Sequence, residues 1–290
     1  MDDLKLMNAA GMCKTLDDVG RFCAAPVTEV NLGSVTVLPR QGNSGNTFWI
    51  DDATGASLNA LGLPNPGLEW YRAEMPGIAE RVHAAGKRLR VSVAGFSVED
   101  YRVLIDGLSA FDIDTVEINL SCPNVWDGAD QKPVFALDPD LTRRICRQAG
   151  EIAPRRIALA VKLAPSDPML LKRLAGIMVE SGRVGEVVAV NTVPNAFAFD
   201  DSGRQAMGGN GLAGLGGRPL KPVALGHVKQ LRTLLPARIS IVGVGGVFEG
   251  RDVFDYINAG AAGVQVGTAC YAYGAGVFQD IVAGFLDAAA

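Results

Sequence analysis

Short apolar runs rich in β-branched residues alternate along this chain with amphipathic stretches of helical period, and we count eight such pairs. The predicted strands span residues 5–8, 29–33, 88–94, 115–120, 157–163, 186–191, 239–244 and 263–267. The predicted helices span residues 16–25, 67–85, 98–111, 138–152, 168–181, 222–235, 251–259 and 276–288. Repeated strand–helix units favour a parallel sheet, and eight of them are enough to close it. The alternation therefore predicts an α/β fold, a (β/α)8 TIM barrel that forms a single domain over residues 1–290.

Several predicted helices carry residues typical of helix ends. Ser97 and Asp138 stand where a side chain can accept hydrogen bonds from the first N–H groups of a helix. Gly86, Gly182 and Gly260 stand just past three helix ends, where the left-handed conformation suits glycine. These signals support the boundaries of the repeated units.

The composition argues against nucleic-acid and membrane partners. The formal net charge is -4, and no stretch has the density of Lys and Arg found in nucleic-acid-binding arms. The longest apolar runs, such as residues 239–244, are too short to span a bilayer. The chain begins Met1-Asp2-Asp3 without a signal segment. We therefore expect a cytoplasmic protein.

Neither the cysteines nor the histidines form a pattern typical of a metal site. The five cysteines are scattered and form no C-x-x-C pair: Cys13, Cys23, Cys122, Cys146 and Cys270. This spacing favours reduced thiols over disulfides or zinc. The only two histidines, His83 and His227, fall within helical patterns, where a solvated or capping role is expected.

Two βα loops are longer than a minimal barrel needs, at residues 35–66 and 194–219. The βα loops of such barrels lie on the carboxyl-terminal face, where barrel enzymes have their active sites. Residues at the ends of the predicted strands are therefore the first candidates for function.

Predicted strand four ends in Ser121-Cys122-Pro123-Asn124. A buried inert thiol is the plain interpretation of Cys122 taken alone. Asn119 and Asn124 flank it, while Asn59 follows strand two and Asn191 ends strand six. Each amide offers an acceptor and two donors, so four of them at strand ends suit a neutral planar ring with alternating C=O and N–H groups.

Predicted strand five contains Lys162 among apolar neighbours. Burying an ammonium group without a partner costs several kcal/mol, so this lysine needs an anionic or strongly accepting partner. A lysine whose charge reaches solvent at the barrel end is the alternative.

Three groups of glycines occur late in the chain. They are Gly214-Leu-Gly-Gly217, Gly243-Val-Gly-Gly246 after strand seven, and Gly267 with Thr268 after strand eight. Loops at this end of such barrels commonly present backbone N–H groups to a phosphate. The glycines predict a phosphorylated cofactor, and none has the context of a dinucleotide fingerprint.

With these residues in view, the sequence resembles the class 1 dihydroorotate dehydrogenases, and within them the fumarate-using class 1A. The most specific matches are Asn59-Ala-Leu-Gly-Leu-Pro-Asn65, Glu117-Ile-Asn-Leu-Ser-Cys-Pro-Asn124, Val190-Asn-Thr192 and the glycine groups at 243–246 and 267–268. The quinone-dependent class of the family has serine as its base, whereas this chain has Cys122.

The resemblance implies FMN as cofactor, and no metal. Its phosphate would be held by Gly217, Gly245, Gly246, Gly267 and Thr268, with Lys162 beside N1 and O2 of the flavin ring. Negative charge develops there on reduction, so a lysine stabilises the reduced flavin.

The resemblance also implies the oxidation of dihydroorotate to orotate in pyrimidine biosynthesis, by a homodimer that uses fumarate as electron acceptor. The pyrimidine would be bound by Asn59, Leu61, Gly62, Leu63, Asn119, Asn124, Asn191 and Thr192. Cys122 would be the base that removes a proton from the carbon next to the one that gives up hydride.

One position departs from the family pattern. Family members carry a lysine near the end of strand two that contacts the flavin and the substrate carboxylate, and this chain has Gly33 there. The nearest other cation in sequence is Arg40. We therefore expect weak orotate binding, strengthened by Gly33→Lys.

Three alternatives stay open at this level. The enzyme could act on a related dihydropyrimidine or another small ring, which the loss of the lysine would suit. A flavin-binding homologue without turnover is the second. An isomerase of phosphorylated sugars is the third, because a fold alone does not determine function.

Overall fold

The computed structural model describes residues 4–122, 126–127, 130–131 and 134–289. Its strands are β1 (Lys5–Asn8), β2 (Glu29–Val35), β3 (Phe48–Asp51), β4 (Ala56–Asn59), β5 (Arg88–Val93), β6 (Thr115–Asn119), β7 (Trp126–Asp127), β8 (Asp130–Gln131), β9 (Ala158–Leu163), β10 (Val184–Ala189), β11 (Val193–Ala196), β12 (Ala213–Gly217), β13 (Ser240–Val244) and β14 (Gly263–Val266). Its α-helices are α1 (Leu16–Ala24), α2 (Leu68–Ala84), α3 (Val98–Leu108), α4 (Pro139–Ile152), α5 (Pro168–Ser181), α6 (Lys221–Leu234), α7 (Gly250–Ala259), α8 (Thr268–Tyr273) and α9 (Val277–Ala289).

Eight parallel strands close into a barrel in the order β1-β14-β13-β10-β9-β6-β5-β2. The (β/α)8 TIM barrel predicted from the alternation is therefore confirmed.

The residues predicted to mark helix ends also take that role in the structure. Ser97 accepts a hydrogen bond from the Asp100 N–H, and Asp138 accepts from two N–H groups at the start of α4. Gly182 and Gly260 end α5 and α7 with φ of 63° and 107°.

The two long loops contain a second sheet that the local pattern did not predict. Strands β3 and β4 lie in the first loop, β11 and β12 in the second, and all four pair antiparallel in the order β11-β12-β4-β3. This sheet joins segments that are far apart in the sequence, so no local periodicity reveals the pairing. It brings Asn59 opposite Gly214 at the carboxyl-terminal face of the barrel.

The main apolar core lies between the outer faces of the barrel strands and the helices. Leu89 and Val91 of β5 belong to the same buried cluster as Met75 and Ile78 of α2 and Leu104 of α3. Full burial of each such side chain contributes about 1.5–3 kcal/mol. The residues described include no helix long and apolar enough to cross a membrane.

The interior of the barrel contains a cluster of buried charges. Arg90 is fully buried and pairs with Glu29 at 2.8 Å, Glu186 at 2.7 Å and Glu117 at 3.5 Å. Burial alone would raise the pKa of Glu186, but Arg90 and Lys5 lower it to about 2. Barrel interiors are usually filled by branched hydrocarbon side chains. The buried charges therefore stabilise one another, and they lie toward the amino-terminal ends of the barrel strands, where β1 and β2 begin with Lys5 and Glu29.

Candidate active site

Two adjoining cavities open at the carboxyl-terminal ends of the barrel strands. The empty space in and around the first cavity is about 730 Å³ and that of the second about 550 Å³, open solvent included. Three polar side chains, Asn59, Lys162 and Asn191, line both cavities and so mark their junction. The two cavities therefore form one continuous site with two compartments.

The predicted site residues divide between the two cavities. Those lining the first are Asn59, Leu61, Lys162, Asn191, Thr192, Gly217, Gly245, Gly246, Gly267 and Thr268. Those lining the second are Asn59, Leu61, Gly62, Leu63, Asn119, Cys122, Lys162 and Asn191. Asn124 lies outside the described residues. His83 contacts Asp112 and Asp114, and His227 contacts the Ser166 backbone, so both histidines have structural roles.

Glycine is required at the end of the first cavity formed by the last strands. Gly217, Gly245 and Gly246 have φ of 78°, 133° and 66°, and a Cβ on Gly217 would lie 2.0 Å from the Gly55 carbonyl oxygen. Within the described residues, the Gly246 N–H has no backbone hydrogen-bond partner. Glycines in such conformations turn N–H groups toward an anion. This end of the cavity is suited to a phosphate.

Two polar side chains on the first cavity lack a full set of partners. The Thr192 Oγ1 atom is buried and makes no hydrogen bond among the described residues. Buried polar groups are normally satisfied, so this hydroxyl is available to hydrogen-bond a molecule bound in the first cavity. Lys162 is 4 % exposed, and its Nζ donates to Gln265 Oε1 at 3.0 Å. An ammonium group has three N–H donors, which leaves donors for a ligand at the cavity junction.

A hydrogen-bonded network holds the floor of the second cavity beside Cys122. Asn119 donates to Ser34 Oγ at 3.1 Å and accepts from the Ser121 hydroxyl at 3.1 Å. The same Ser121 hydroxyl accepts from Asn191 Nδ2 at 3.0 Å. Ser121 is fully buried, and the half-buried Cys122 follows it directly. The network therefore anchors two amides and the backbone that carries the thiol.

A strained loop forms the opposite wall of the second cavity. Gly62 has a φ of 74° and Leu63 a φ of 60°, which is uncommon for a residue with a side chain. Strain of this kind costs about 1–3 kcal/mol and clusters at ligand-binding sites. Arg40 donates to the Gly62 carbonyl at 3.1 Å and lies over the Phe96 ring, so it braces this loop from outside the cavity. Arg40 therefore does not supply the missing charge.

Besides Lys162, a second cation lines the second cavity: Lys14, which the sequence analysis missed. It lies in the loop between β1 and α1, and burial lowers its pKa while Asp18 opposes that shift. The Asp18 carboxylate accepts from the backbone N–H groups of Lys14 and Thr15 and from Arg21. Asp18 therefore already has partners at the start of α1. Lys14 follows strand one, and its place after a strand end is the signal by which the sequence could have identified it as a site residue.

The structure gives a steric argument against the expectation that a lysine at position 33 improves ligand binding. Gly33 has a φ of 103°, and a Cβ there would lie 2.5 Å from the Ser92 carbonyl oxygen and 2.7 Å from the Val35 nitrogen. Both neighbours are backbone atoms within the barrel and cannot move aside cheaply. A side chain at this position disturbs the pairing of β2 with β5 before it can reach the cavity.

We expect Gly33→Ala to be strongly destabilising. The unfavourable φ costs about 1–3 kcal/mol, and the clash adds about 1–3 kcal/mol of overpacking. Gly86→Ala is the matched control, because Gly86 also has a positive φ of 71° but its Cβ would enter open space. Urea unfolding measures both free energies. If Gly33→Ala and Gly86→Ala lose the same free energy of unfolding, the backbone around Gly33 relieves the close approach without an energetic cost.

The family model described as dihydroorotate dehydrogenase matches residues 4–288. A Streptococcus equi subsp. equi protein named as a dihydroorotate dehydrogenase A (fumarate) is 33 % identical over 278 residues, which cover 95 % of this chain and 86 % of that protein. A Petrotoga mobilis protein named dihydroorotate dehydrogenase B (NAD(+)), catalytic subunit, is 33 % identical over 236 residues, covering 81 % of this chain and 73 % of that protein.

Among solved structures, the dihydroorotate dehydrogenase of Eimeria tenella in complex with ferulenol superposes with a TM-score of 0.83. It is 22 % identical, and the match covers 98 % of this chain and 80 % of that one, so it supports the fold. The match of the family model over nearly the whole described chain supports more than the fold. This chain belongs to the dihydroorotate dehydrogenase family.

Proposed function

We propose that this chain oxidises dihydroorotate to orotate in pyrimidine biosynthesis, with FMN in the first cavity and fumarate as the electron acceptor. The observation that carries the proposal is the pair of adjoining cavities that meet at Lys162, with Cys122 on the wall of the second. A family member whose site has room for a flavin beside a pyrimidine fits this reaction. The names of its relatives point to the same substrate.

The residues of the first cavity fit FMN. Gly217, Gly245 and Gly246 form the phosphate end together with Gly267 and Thr268, since their backbone leaves room for an anion. The unpartnered Thr192 hydroxyl and the remaining donors of Lys162 face the rest of the cofactor. Bound FMN supplies a hydride acceptor and passes the electron pair to the oxidant.

The second cavity fits the pyrimidine. The amides of Asn59, Asn119 and Asn191 face a ring with alternating C=O and N–H groups, and we assign Asn124 to the same set. The backbone of 61–63 lies along the ring edge. Lys14 supplies the positive charge for the substrate carboxylate, in place of the lysine that Gly33 replaces. Dihydroorotate therefore remains the preferred substrate.

Cys122 is the base. Its thiolate Sγ removes the proton from the ring carbon next to the one that loses hydride, and the thiol then holds that proton until solvent takes it. The Ser121 network holds the backbone of Cys122 against the cavity floor. A thiol reacts as the thiolate, so the rate rises with pH as the thiolate forms.

The test is anaerobic reduction of the purified holoprotein. We expect a yellow protein that releases FMN on denaturation, loses its flavin absorbance on addition of dihydroorotate and regains it on addition of fumarate. A protein that stays oxidised with dihydroorotate but is reduced by another dihydropyrimidine would identify a related ring as the substrate. A protein reduced by no such ring would be a flavin-binding homologue without turnover.

NAD⁺ is the second candidate for the acceptor. The Petrotoga mobilis relative, with NAD(+) in its name, is as similar in identity as the relative with fumarate in its name. Its name also describes a catalytic subunit, which implies a partner in that protein. Reoxidation of the isolated chain by fumarate, and failure of NAD⁺ to reoxidise it, would support fumarate.

We further propose that the protein is a cytoplasmic homodimer in which residues 1–290 form one FMN-binding domain. Phe197 and Phe199 support an interface, because they stack edge to face at 5.1 Å yet are 45 % and 64 % exposed. Light scattering coupled to size-exclusion chromatography measures the assembly. A monomer over the micromolar range would contradict the homodimer and leave the chemistry of the site unchanged.

A further inference from the structure

A buried chain of hydrogen bonds descends from the cavity junction into the barrel. Lys162 Nζ donates to Gln265 Oε1 at 3.0 Å, and Gln265 Nε2 donates to Glu117 Oε2 at 2.6 Å. Glu117 and Gln265 are fully buried, and neither lines the first or the second cavity. The chain therefore links the site to a carboxylate that the proposed reaction does not use.

The chemistry of the three groups determines which way Gln265 faces. An ionised carboxylate only accepts hydrogen bonds, so the NH₂ of Gln265 must face Glu117. That NH₂ also approaches Met7 Sδ at 3.8 Å, a weak acceptor. The amide oxygen is then directed at Lys162. The Gln265 amide oxygen is therefore the acceptor for Lys162 on the barrel side, and the other N–H groups of Lys162 can face the cavities.

We infer that Gln265 and Glu117 are positioning residues for Lys162, and that Glu117 supplies through Gln265 the counter-charge that keeps this lysine an ammonium group beside the flavin. The inference rests on the proposed FMN site. It extends that site to two residues that touch neither cofactor nor substrate.

The distribution of charge beneath Lys162 supports this role. The charged and titratable groups that face it are Glu117 on β6, Arg90 on β5 and Cys122 after β6. Arg90 makes its shorter ion pairs with Glu29 and Glu186, at 2.8 and 2.7 Å, and lies 3.5 Å from Glu117. Glu117 is therefore the carboxylate of the cluster that is held mainly by Gln265, at 2.6 Å.

The sign of the effect follows from these contacts. Burial lowers the pKa of Lys162, Glu117 raises it and Arg90 lowers it. Removal of the Glu117 charge therefore makes Lys162 lose its proton at a lower pH. Below that pH Lys162 stays protonated, and the site of the variant has more net positive charge than that of the wild type. Above that pH Lys162 is neutral, and the site lacks the cation that faces the flavin.

Glu117→Gln tests the inference, because the amide oxygen of the substituted side chain can still accept from Gln265 while the charge is removed. The measurement is the midpoint potential of the bound flavin across a range of pH on both sides of neutrality. We expect the potential of the variant to lie above that of the wild type at the acidic end and below it at the alkaline end, so that the two curves cross. Lys162→Met gives the reference curve, low at every pH.

Glu29→Gln is the matched control. Glu29 belongs to the same buried cluster and pairs with Arg90, and none of its hydrogen bonds or ion pairs in the described part of the chain involves Gln265. We expect the midpoint potential of Glu29→Gln, plotted against pH, to run parallel to that of the wild type. Parallel curves for Glu117→Gln as well would overturn the inference and assign Glu117 to the neutralisation of Arg90.

Gln265→Leu provides a second measurement that keeps every charge. Hydrogen bonds to charged groups contribute enough that FMN should dissociate about ten- to a hundredfold more readily when Lys162 loses its acceptor. Unchanged FMN affinity would contradict the positioning role of Gln265. If the wild type itself binds no FMN, the proposed function fails and this inference with it, whereas a wild type that binds FMN isolates the role of the two residues.

Discussion

Cys122→Ala slows reduction of the bound flavin by dihydroorotate by roughly 10²–10⁴-fold, the usual contribution of a general base. The variant retains FMN, because Cys122 lines the second cavity and not the first. Stopped-flow absorbance under anaerobic conditions measures the rate. Cys23→Ala is the matched control, since Cys23 is half-buried and its thiol contacts the Arg81 carbonyl outside both cavities. We expect its rate to equal that of the wild type.

Cys122→Ser separates the chemistry of the base from its volume. A hydroxyl ionises far less readily than a thiol, so the variant should be slow near neutral pH and gain rate over a higher pH range. A serine variant with the rate and pH profile of the wild type would remove Cys122 from the proton transfer. The pH profile is decisive here, because packing defects alone do not displace it.

Lys14→Met weakens the binding of orotate by roughly 10- to 200-fold. An ammonium group paired with a partly desolvated carboxylate contributes about 1.5–3 kcal/mol, and methionine keeps the apolar stem while it removes the charge. Titration of the holoprotein with orotate, followed by flavin absorbance, gives the dissociation constant. Lys14→Arg keeps the charge and should retain most of the affinity.

Uracil, which has no carboxylate, provides the matched ligand. Its affinity should be the same in the wild type and in Lys14→Met, because only the carboxylate pairs with the lysine. Equal losses for orotate and uracil would mean that the substitution distorts the cavity. Burial lowers the pKa of Lys14, so orotate binding should weaken as the pH rises through that lowered value. Unchanged orotate binding in Lys14→Met would show that another group holds the carboxylate.

The barrel could be predicted because each of its strands and helices is determined by residues that are close together in the sequence. Each strand and helix is encoded by the period of its own apolar residues, and the ends of several helices are encoded by single residues such as Ser97 and Gly182. Eight repeats leave few arrangements other than closure. The second sheet escaped prediction because β4 and β12 are distant in the sequence, with Asn59 paired to Gly214, and two short segments with several glycines give no periodic signal.

The convergence of Cys122, Lys162 and the asparagines could also be predicted, since the carboxyl ends of parallel strands meet at one face. The position of Lys14 could not. Gly33 and Lys14 stand in unrelated segments of the sequence, and the bridge between Cys13 and Gly33 brings these segments together, with Lys14 on the second cavity.

The sequence by itself determined the repeat, the strand ends and the residue types that reach them, because these depend on neighbours along the chain. The tertiary structure alone decided which charged and polar groups face one another. Glu117 and Gln265 are 148 residues apart, and closure of the barrel places their side-chain atoms 2.6 Å apart in a buried interior. Charges interact strongly where water is excluded. The hydrogen bonds that link Lys162 through Gln265 to Glu117 therefore exist only after the barrel has closed.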